Sequence, residues 1–178
     1  MAIVTLDAAK EQLNIATSDS SQDVELQRYV DAVTTPVERH LGEVVDQRQL
    51  TDELRLSGAT SFMLSGTPVI SLDAVATVDG TQIWAVADMH VDSASGEVTV
   101  LSGPAVTGLV AVTYTAGYAT VPEDYQLAAL IIVQHLWETQ RGAMGVSVGG
   151  EGEPVFGLGF ALPRRALELL GTPLPGVA

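Results

Sequence analysis

From Leu127 to Val133 every residue is apolar, within a segment, Tyr125 to Gly142, that otherwise reads as one helix. A surface helix keeps one polar face, whereas a helix that is greasy around its circumference is buried on all sides. Seven residues are too few to cross a bilayer, which needs about 20. The segment is therefore expected to be either the central core element of the subunit or a rod sealed by neighbouring copies. Its entrance is marked in sequence. Thr120 and Glu123 are spaced as a capping box, Pro122 stands where a first-turn proline is harmless, and Glu123 and Asp124 suit the positive helix end.

The rest of the chain sorts by period. Thr5 can cap a short amphipathic helix over Leu6 to Asn14, with Leu6 and Leu13 on one face, and Asp19 to Asp23 is a polar turn. Leu26, Val30, Val33, Val37 and Leu41 recur at steps of four, three, four and four, which predicts a helix over Val24 to Leu41. Pro36 interrupts that stripe, and Thr35-Pro-Val-Glu38 could restart a helix. The unbroken phase favours one kinked helix ending at Gly42.

Between Val44 and Tyr118 the pattern changes to short strands divided by turn signals. Strands are expected at Glu53 to Leu56, Ser61 to Leu64, Val69 to Val78, Gln82 to Val86, Met89 to Val91, Glu97 to Leu101 and Leu109 to Tyr114. Asp79-Gly80 and Ser95-Gly96 are the turn dipeptides among them. Alternation in Val98 to Leu101 and Val110 to Tyr114 suits antiparallel strands with one buried face. Past the apolar helix, Gly142 to Phe160 holds seven of the 17 glycines, with Gly149 to Gly152 placed as a hairpin tip. Leu162 to Leu170 then forms a short helix stopped by Gly171 and Pro173. The expected fold class is α+β. It is read as one domain over 1–178, divided into a helical pair (1–43), a β section (44–118), the apolar helix (119–142) and a glycine-rich segment with a closing helix (143–178).

Charge narrows the function. Eight basic residues against 22 acidic ones leave a net charge of −14, so the chain is not expected to grip a phosphate backbone. No cysteine is present, which removes disulfides, thiolate metal sites and cysteine nucleophiles. Met1 to Lys10 lacks the basic start and apolar run of a secretion signal, so synthesis in a cytoplasm and no membrane span are expected. His40, His90 and His135 lack the i, i+4 pairing of a helical metal site, so no metal is expected. Asp52-Glu53 and Asp88 with Asp92 could serve a hydrolase only if one carboxylate were buried beside a cleft. Their polar, turn-rich surroundings read instead as solvated surface charge. Neither a phosphate-binding glycine loop nor a Gly-x-Ser-x-Gly elbow occurs.

Three stretches resemble the head-tail connector (adaptor) proteins of long-tailed bacteriophages. They are the opening helix pair, Leu6 to Ile15 with Asp23 to Ala32; the junction Tyr114-Thr-Ala-Gly-Tyr118 with Val121-Pro-Glu-Asp124; and the closing Leu162-Pro-Arg-Arg-Ala-Leu-Glu-Leu-Leu170. The resemblance implies a structural virion protein with no catalytic site and no cofactor. It implies a ring, dodecameric in the virion neck, that joins the portal of the DNA-filled head to a tail or stopper protein and continues the DNA channel. A different neck or tail-completion (stopper) protein, or a β-rich binding module, is the alternative.

A head-to-tail ring needs two different patches per subunit. Leu127, Leu130, Ile131 and Trp137 on the apolar helix, Phe156 and Phe160 in the glycine-rich segment, and Arg164 and Arg165 on the last helix are the candidate protein-interface residues. The bland readings are core packing for Tyr125 and Trp137, folding of the Phe156 hairpin onto its own sheet, and an Arg164–Glu168 pair on a solvated helix end.

Overall fold

The computed structural model describes residues 3–141, 147–148, 154–155 and 162–171. The chain forms an α+β fold that divides into two compact units, 1–42 with 121–178, and 43–120.

The first unit is helical. Helix α1 spans Leu6–Gln12, α2 spans Asp23–Leu41, α3 spans Glu123–Arg141 and α4 spans Arg164–Leu170. As its sequence predicts, Thr5 caps α1, its hydroxyl accepting from the Ala8 amide at 3.2 Å. In α2 the whole stripe Leu26, Val30, Val33, Val37 and Leu41 is buried, and the helix runs unbroken through Pro36 to Gly42 in the left-handed region. The magnitudes explain why. An interior proline costs about 3 kcal/mol, but ending the helix there would forfeit Val37 and Leu41, worth roughly 2 kcal/mol each when buried. Facing α2, helix α3 buries Ala128, Ala129, Ile132 and Val133, and α4 adds Ala166 and Leu170.

The start of α3 differs from expectation. The helix begins at Glu123, and the Gln126 amide donates to the Pro122 carbonyl at 3.1 Å, so Pro122 holds the cap position and Thr120 lies two residues too early for a capping box. Gln126 instead ties its side chain back to the Val121 carbonyl at 2.8 Å.

The chain's one lysine is also inside this unit. Lys10 on α1 is buried, pairs with Asp23 at the start of α2 at 2.6 Å and donates to the Thr17 carbonyl at 3.2 Å. The periodic apolar pattern gave no hint of it. Burial of an ammonium is tolerable only because a carboxylate and a carbonyl take its protons. Asp23 gains in turn from the helix N-terminus.

The second unit is a pair of antiparallel sheets. Strands β1 (Arg48–Ala59), β7 (Val106–Ala116), β3 (Val69–Thr77) and β4 (Ile83–Trp84) form one sheet in the order β1-β7-β3-β4. Strands β2 (Ser61–Met63), β6 (Glu97–Val100) and β5 (Met89–Val91) form the other in the order β2-β6-β5, with a 3-10 turn at Val86–Asp88 before β5. Strand β7 alternates cleanly: Val110, Val112, Tyr114 and Ala116 are buried, and Thr113 and Thr115 face the other way. With Phe62, Val75, Trp84 and Val98 they build one apolar core.

Both turn dipeptides sit where expected. Gly80 and Gly96 take left-handed φ values of 71° and 74° in the β3–β4 and β5–β6 connections. The main discrepancy is β1. Expected only over Glu53 to Leu56, it runs for 12 residues, because pairing with β7 from Arg48 opposite Ala116 to Ala59 opposite Val106 extends it through polar residues.

A small hairpin, β8 (Ser147–Val148) with β9 (Pro154–Val155), is paired antiparallel in the glycine-rich stretch. Its expected tip, Gly149 to Gly152, and the neighbouring Phe156 and Phe160 lie outside the described residues.

Candidate functional site

Helix α3 exposes part of what its sequence makes apolar. Leu127 is 44% exposed, Leu130 and Ile131 are half-buried, and Trp137 is half-buried with its ring edge-on to Tyr29 of α2, centroids 6.1 Å apart at 87°. Trp137 is thus an intramolecular packing residue as well as a candidate interface residue. Tyr125 is half-buried near the start of the same helix. Arg164 and Arg165 are exposed in the first turn of α4, and neither forms an ion pair among the described residues, so the Arg164–Glu168 pair does not form. The candidate interface residues of the helical unit therefore divide: Leu127, Arg164 and Arg165 offer open surface, and Leu130, Ile131 and Trp137 offer partial surface.

The histidines are dispersed. His40 meets the Gly171 carbonyl at 3.1 Å beyond α4, His90 lies on β5 and His135 on α3. No cluster of metal-ligating side chains occurs among the described residues. No helix among them is long and apolar enough to cross a membrane.

Three of the carboxylates read as solvated surface charge, Asp52, Asp88 and Asp92, also act as fasteners. Asp92 accepts from the Ala94 and Ser95 amides at 2.9 and 3.2 Å in the β5–β6 turn, and these backbone N–H groups hold its carboxyl below the usual carboxylate range. Asp88 accepts from the Ser102 hydroxyl at 2.7 Å. Asp52 does more. Its carboxylate accepts from the Ser65 amide at 2.7 Å, the Ser65 hydroxyl at 2.8 Å and the Tyr114 phenol at 3.0 Å, while the Tyr114 oxygen accepts from the Gly66 amide at 2.9 Å. Burial, with the Asp52 carboxylate alongside, pushes the Tyr114 phenol above its ordinary range. This relay ties β1, β7 and the turn after β2 into one knot. In sequence Asp52 was visible only as an isolated acid; its partners, Ser65 and Tyr114, lie 13 and 62 residues away.

The junction motif Tyr114-Thr-Ala-Gly-Tyr118 has a physical account. Gly117 has φ 107°, and a Cβ there would stand 2.8 Å from the Gln47 Cα and 2.9 Å from the Asp46 carbonyl carbon. The Gly117 amide donates to the Pro68 carbonyl at 2.9 Å, the Tyr118 amide donates to the Val45 carbonyl at 3.2 Å, and the Tyr118 hydroxyl donates to Glu43 at 3.0 Å. Glycine is required because two backbones cross at contact distance.

With this geometry in hand, likeness to known proteins is informative. Residues 2–171 match the head completion protein family. Among solved structures, a chain from the neck of an empty gene transfer agent particle, computed with C6 symmetry, superposes with a TM-score of 0.69 at 17% identity, covering 98% of this chain and 92% of that one. A chain from the neck of the native particle, computed with C12 symmetry, gives 0.63 at 16% identity, covering 99% and 96%. A chain from the virion of the native particle gives 0.67 at 16% identity, covering 98% and 92%. At such identities the likeness is one of fold. No curated protein matches the sequence. Since the family match spans nearly the whole chain, from α1 through α4, the protein belongs to the head completion protein family.

Proposed function

We propose that the protein is a ring-forming adaptor in the neck of a phage-like particle, joining the portal of the DNA-filled head to a tail or stopper protein. Family membership and the shared fold with neck chains support this placement. The C12 symmetry of one matched neck supports a ring of twelve copies. The observation that carries the reading is the incompletely sheltered α3: Leu127 is 44% exposed, and Leu130, Ile131 and Trp137 are only half-buried. Neighbouring copies in a ring would complete the shelter, with Leu130, Ile131 and Trp137 at its margin. Arg164 and Arg165 are suited to partner carboxylates on the portal or the next ring. Phe156 and Phe160 would serve as aromatic anchors on assembly.

Electrostatics suit a conduit. The β unit carries nine acidic residues against Arg48 and Arg55 alone. A wall with that balance repels phosphates, and DNA passes without being held. The reading involves no cofactor and no catalytic step.

Purified protein mixed with its portal is expected to give ring-shaped or portal-bound species by negative-stain imaging, with a matching mass by light scattering. If only free monomer is seen under those conditions, the reading is wrong.

A further inference from the structure

The four-stranded sheet has two unlike edges. At one, β4 offers only Ile83 and Trp84. At the other, β1 runs for 12 residues with β7 as its single neighbour. Among the described residues, no backbone group from Gln49 to Ser57 bonds to anything outside that ladder. Backbone groups of a strand alternate between its two sides, so the far side of β1 carries a row of open donors and acceptors. Folded proteins ordinarily blunt such an edge by keeping it short, or with lysine, proline or a bulge. Gln49 to Leu56 contains none of these; the register shift comes later, between Leu56 and Ala59, with Gly58 at φ 67°. One inward carboxylate, Asp52, is present, but Ser65 and Tyr114 already occupy it.

The side chains along this edge select what fits beside it. Glu53 and Arg55 are exposed, lie on the same face and form no ion pair among the described residues. On the β7 side they meet Ala111 and Leu109, so neither finds an opposite charge there. With Asp52 they are the only charges from Gln49 to Ser57, and their order is self-complementary. When a second copy of β1 is laid antiparallel with Leu54 opposite Leu54, each Glu53 falls opposite an Arg55. Sliding that copy by two residues sets Glu53 against Glu53 in one direction and Arg55 against Arg55 in the other. A slip of one residue turns the outward row against the inward one. Opposite charges facing each other across a strand pair stabilise it and like charges destabilise it, so the pattern favours one register. In that register Leu54, half-buried at the sheet margin, gains its counterpart as apolar cover.

We propose that the free protein pairs with a second copy of itself along β1, antiparallel and centred on Leu54, joining two four-stranded sheets edge to edge. The net charge of −14 opposes any meeting of copies at long range, but at about 0.15 M salt that repulsion is screened beyond roughly 8 Å, and the contact strand itself brings matched signs. The pairing stands independently of the ring reading. A cyclic ring of head-to-tail contacts contains no two-fold of this kind, so where a ring forms the β1 contact parts first. The pair is then a state of the protein before assembly, in which the long sheet edge is covered.

The test is sedimentation equilibrium of the full chain, without portal, in about 0.15 M salt from micromolar to near-millimolar concentration. A monomer–dimer equilibrium is expected. Glu53→Arg alone and Arg55→Glu alone each turn two attractive pairs into two repulsive ones, and each is expected to raise the dissociation constant about tenfold. Glu53→Arg combined with Arg55→Glu restores the matched order and is expected to return the constant to within about threefold of the parent. Both sites are exposed, so melting temperatures are expected to hold. Hydrogen exchange on the parent chain needs no variant: amides between Asp52 and Leu56 are expected to exchange more slowly as concentration rises, and those of β4 are not. A chain that stays monomeric throughout overturns the pairing. So does a dimer whose constant ignores the charge exchange, or whose added protection lies outside β1. Each of these results leaves the ring reading standing, because that reading is judged on mixtures with portal.

Discussion

The two units reach stability by different routes. The helical unit relies on a repeating apolar stripe, Leu26 to Leu41, packed with α3 and α4, and admits one buried ion pair, Lys10 with Asp23. The β unit also has an apolar core, but its connections are held by side-chain oxygens on backbone amides: Asp52 on Ser65, Asp79 on Thr81 and Asp92 on Ala94 and Ser95. The difference teaches where each unit is vulnerable. A periodic stripe loses stability in increments, one side chain at a time, whereas a knot of crossing backbones fails at a single atom.

That contrast can be broken at defined places. The largest effect is expected at Gly117→Ala, where the new Cβ meets the Asp46–Gln47 backbone and φ is left-handed. A loss of about 3 kcal/mol, read by denaturant unfolding, is expected, and a loss below about 1 kcal/mol would show that the crossing can relax. In the helical unit, Lys10→Met should cost about 2 kcal/mol. That is less than the full penalty for orphaning a buried charge, because Asp23 is 30% exposed and sits in the first turn of α2.

Tyr114→Phe comes next. It leaves the Gly66 amide and one Asp52 oxygen without the phenol, for about 1.5 kcal/mol. It also changes the pH response. A phenol whose folded value is raised contributes stability that is complete below the ordinary tyrosine range and is lost as pH rises through it, because the unfolded chain ionises first. The alkaline limb of the stability profile should therefore flatten in the Phe variant. The smallest effect on the isolated protein is expected from Leu127→Gln, within about 0.5 kcal/mol, since the residue is already exposed. The same change should impair ring assembly, and equal assembly with the parent would argue against an interface at α3.

The same contrast explains what the sequence disclosed. Helix α2 was legible through Pro36 because five apolar residues kept phase, and the Asp79-Gly80 and Ser95-Gly96 turns because their φ demands are local. Strand β1 was legible only over Glu53 to Leu56, since Gln49, Thr51 and Asp52 carry no strand pattern and are extended by pairing with Thr115, Thr113 and Val112 some sixty residues on. The capping box failed for a related reason: the spacing fitted, but the backbone entered α3 two residues later. For the candidate surface, excess greasiness of Leu127 to Val133 pointed to α3. It could not separate Leu127, which is open, from Ile132 and Val133, which the helical unit buries.

The burial of Lys10 has a practical consequence for mapping how copies meet. Amine-directed cross-linkers, the usual reagents for charting neighbours by mass spectrometry, find no lysine side chain within reach, because the only one is sealed between α1 and Asp23. With 22 acidic residues in the chain, many of them exposed, reagents that couple carboxyl groups are the ones suited to report on the assembled particle.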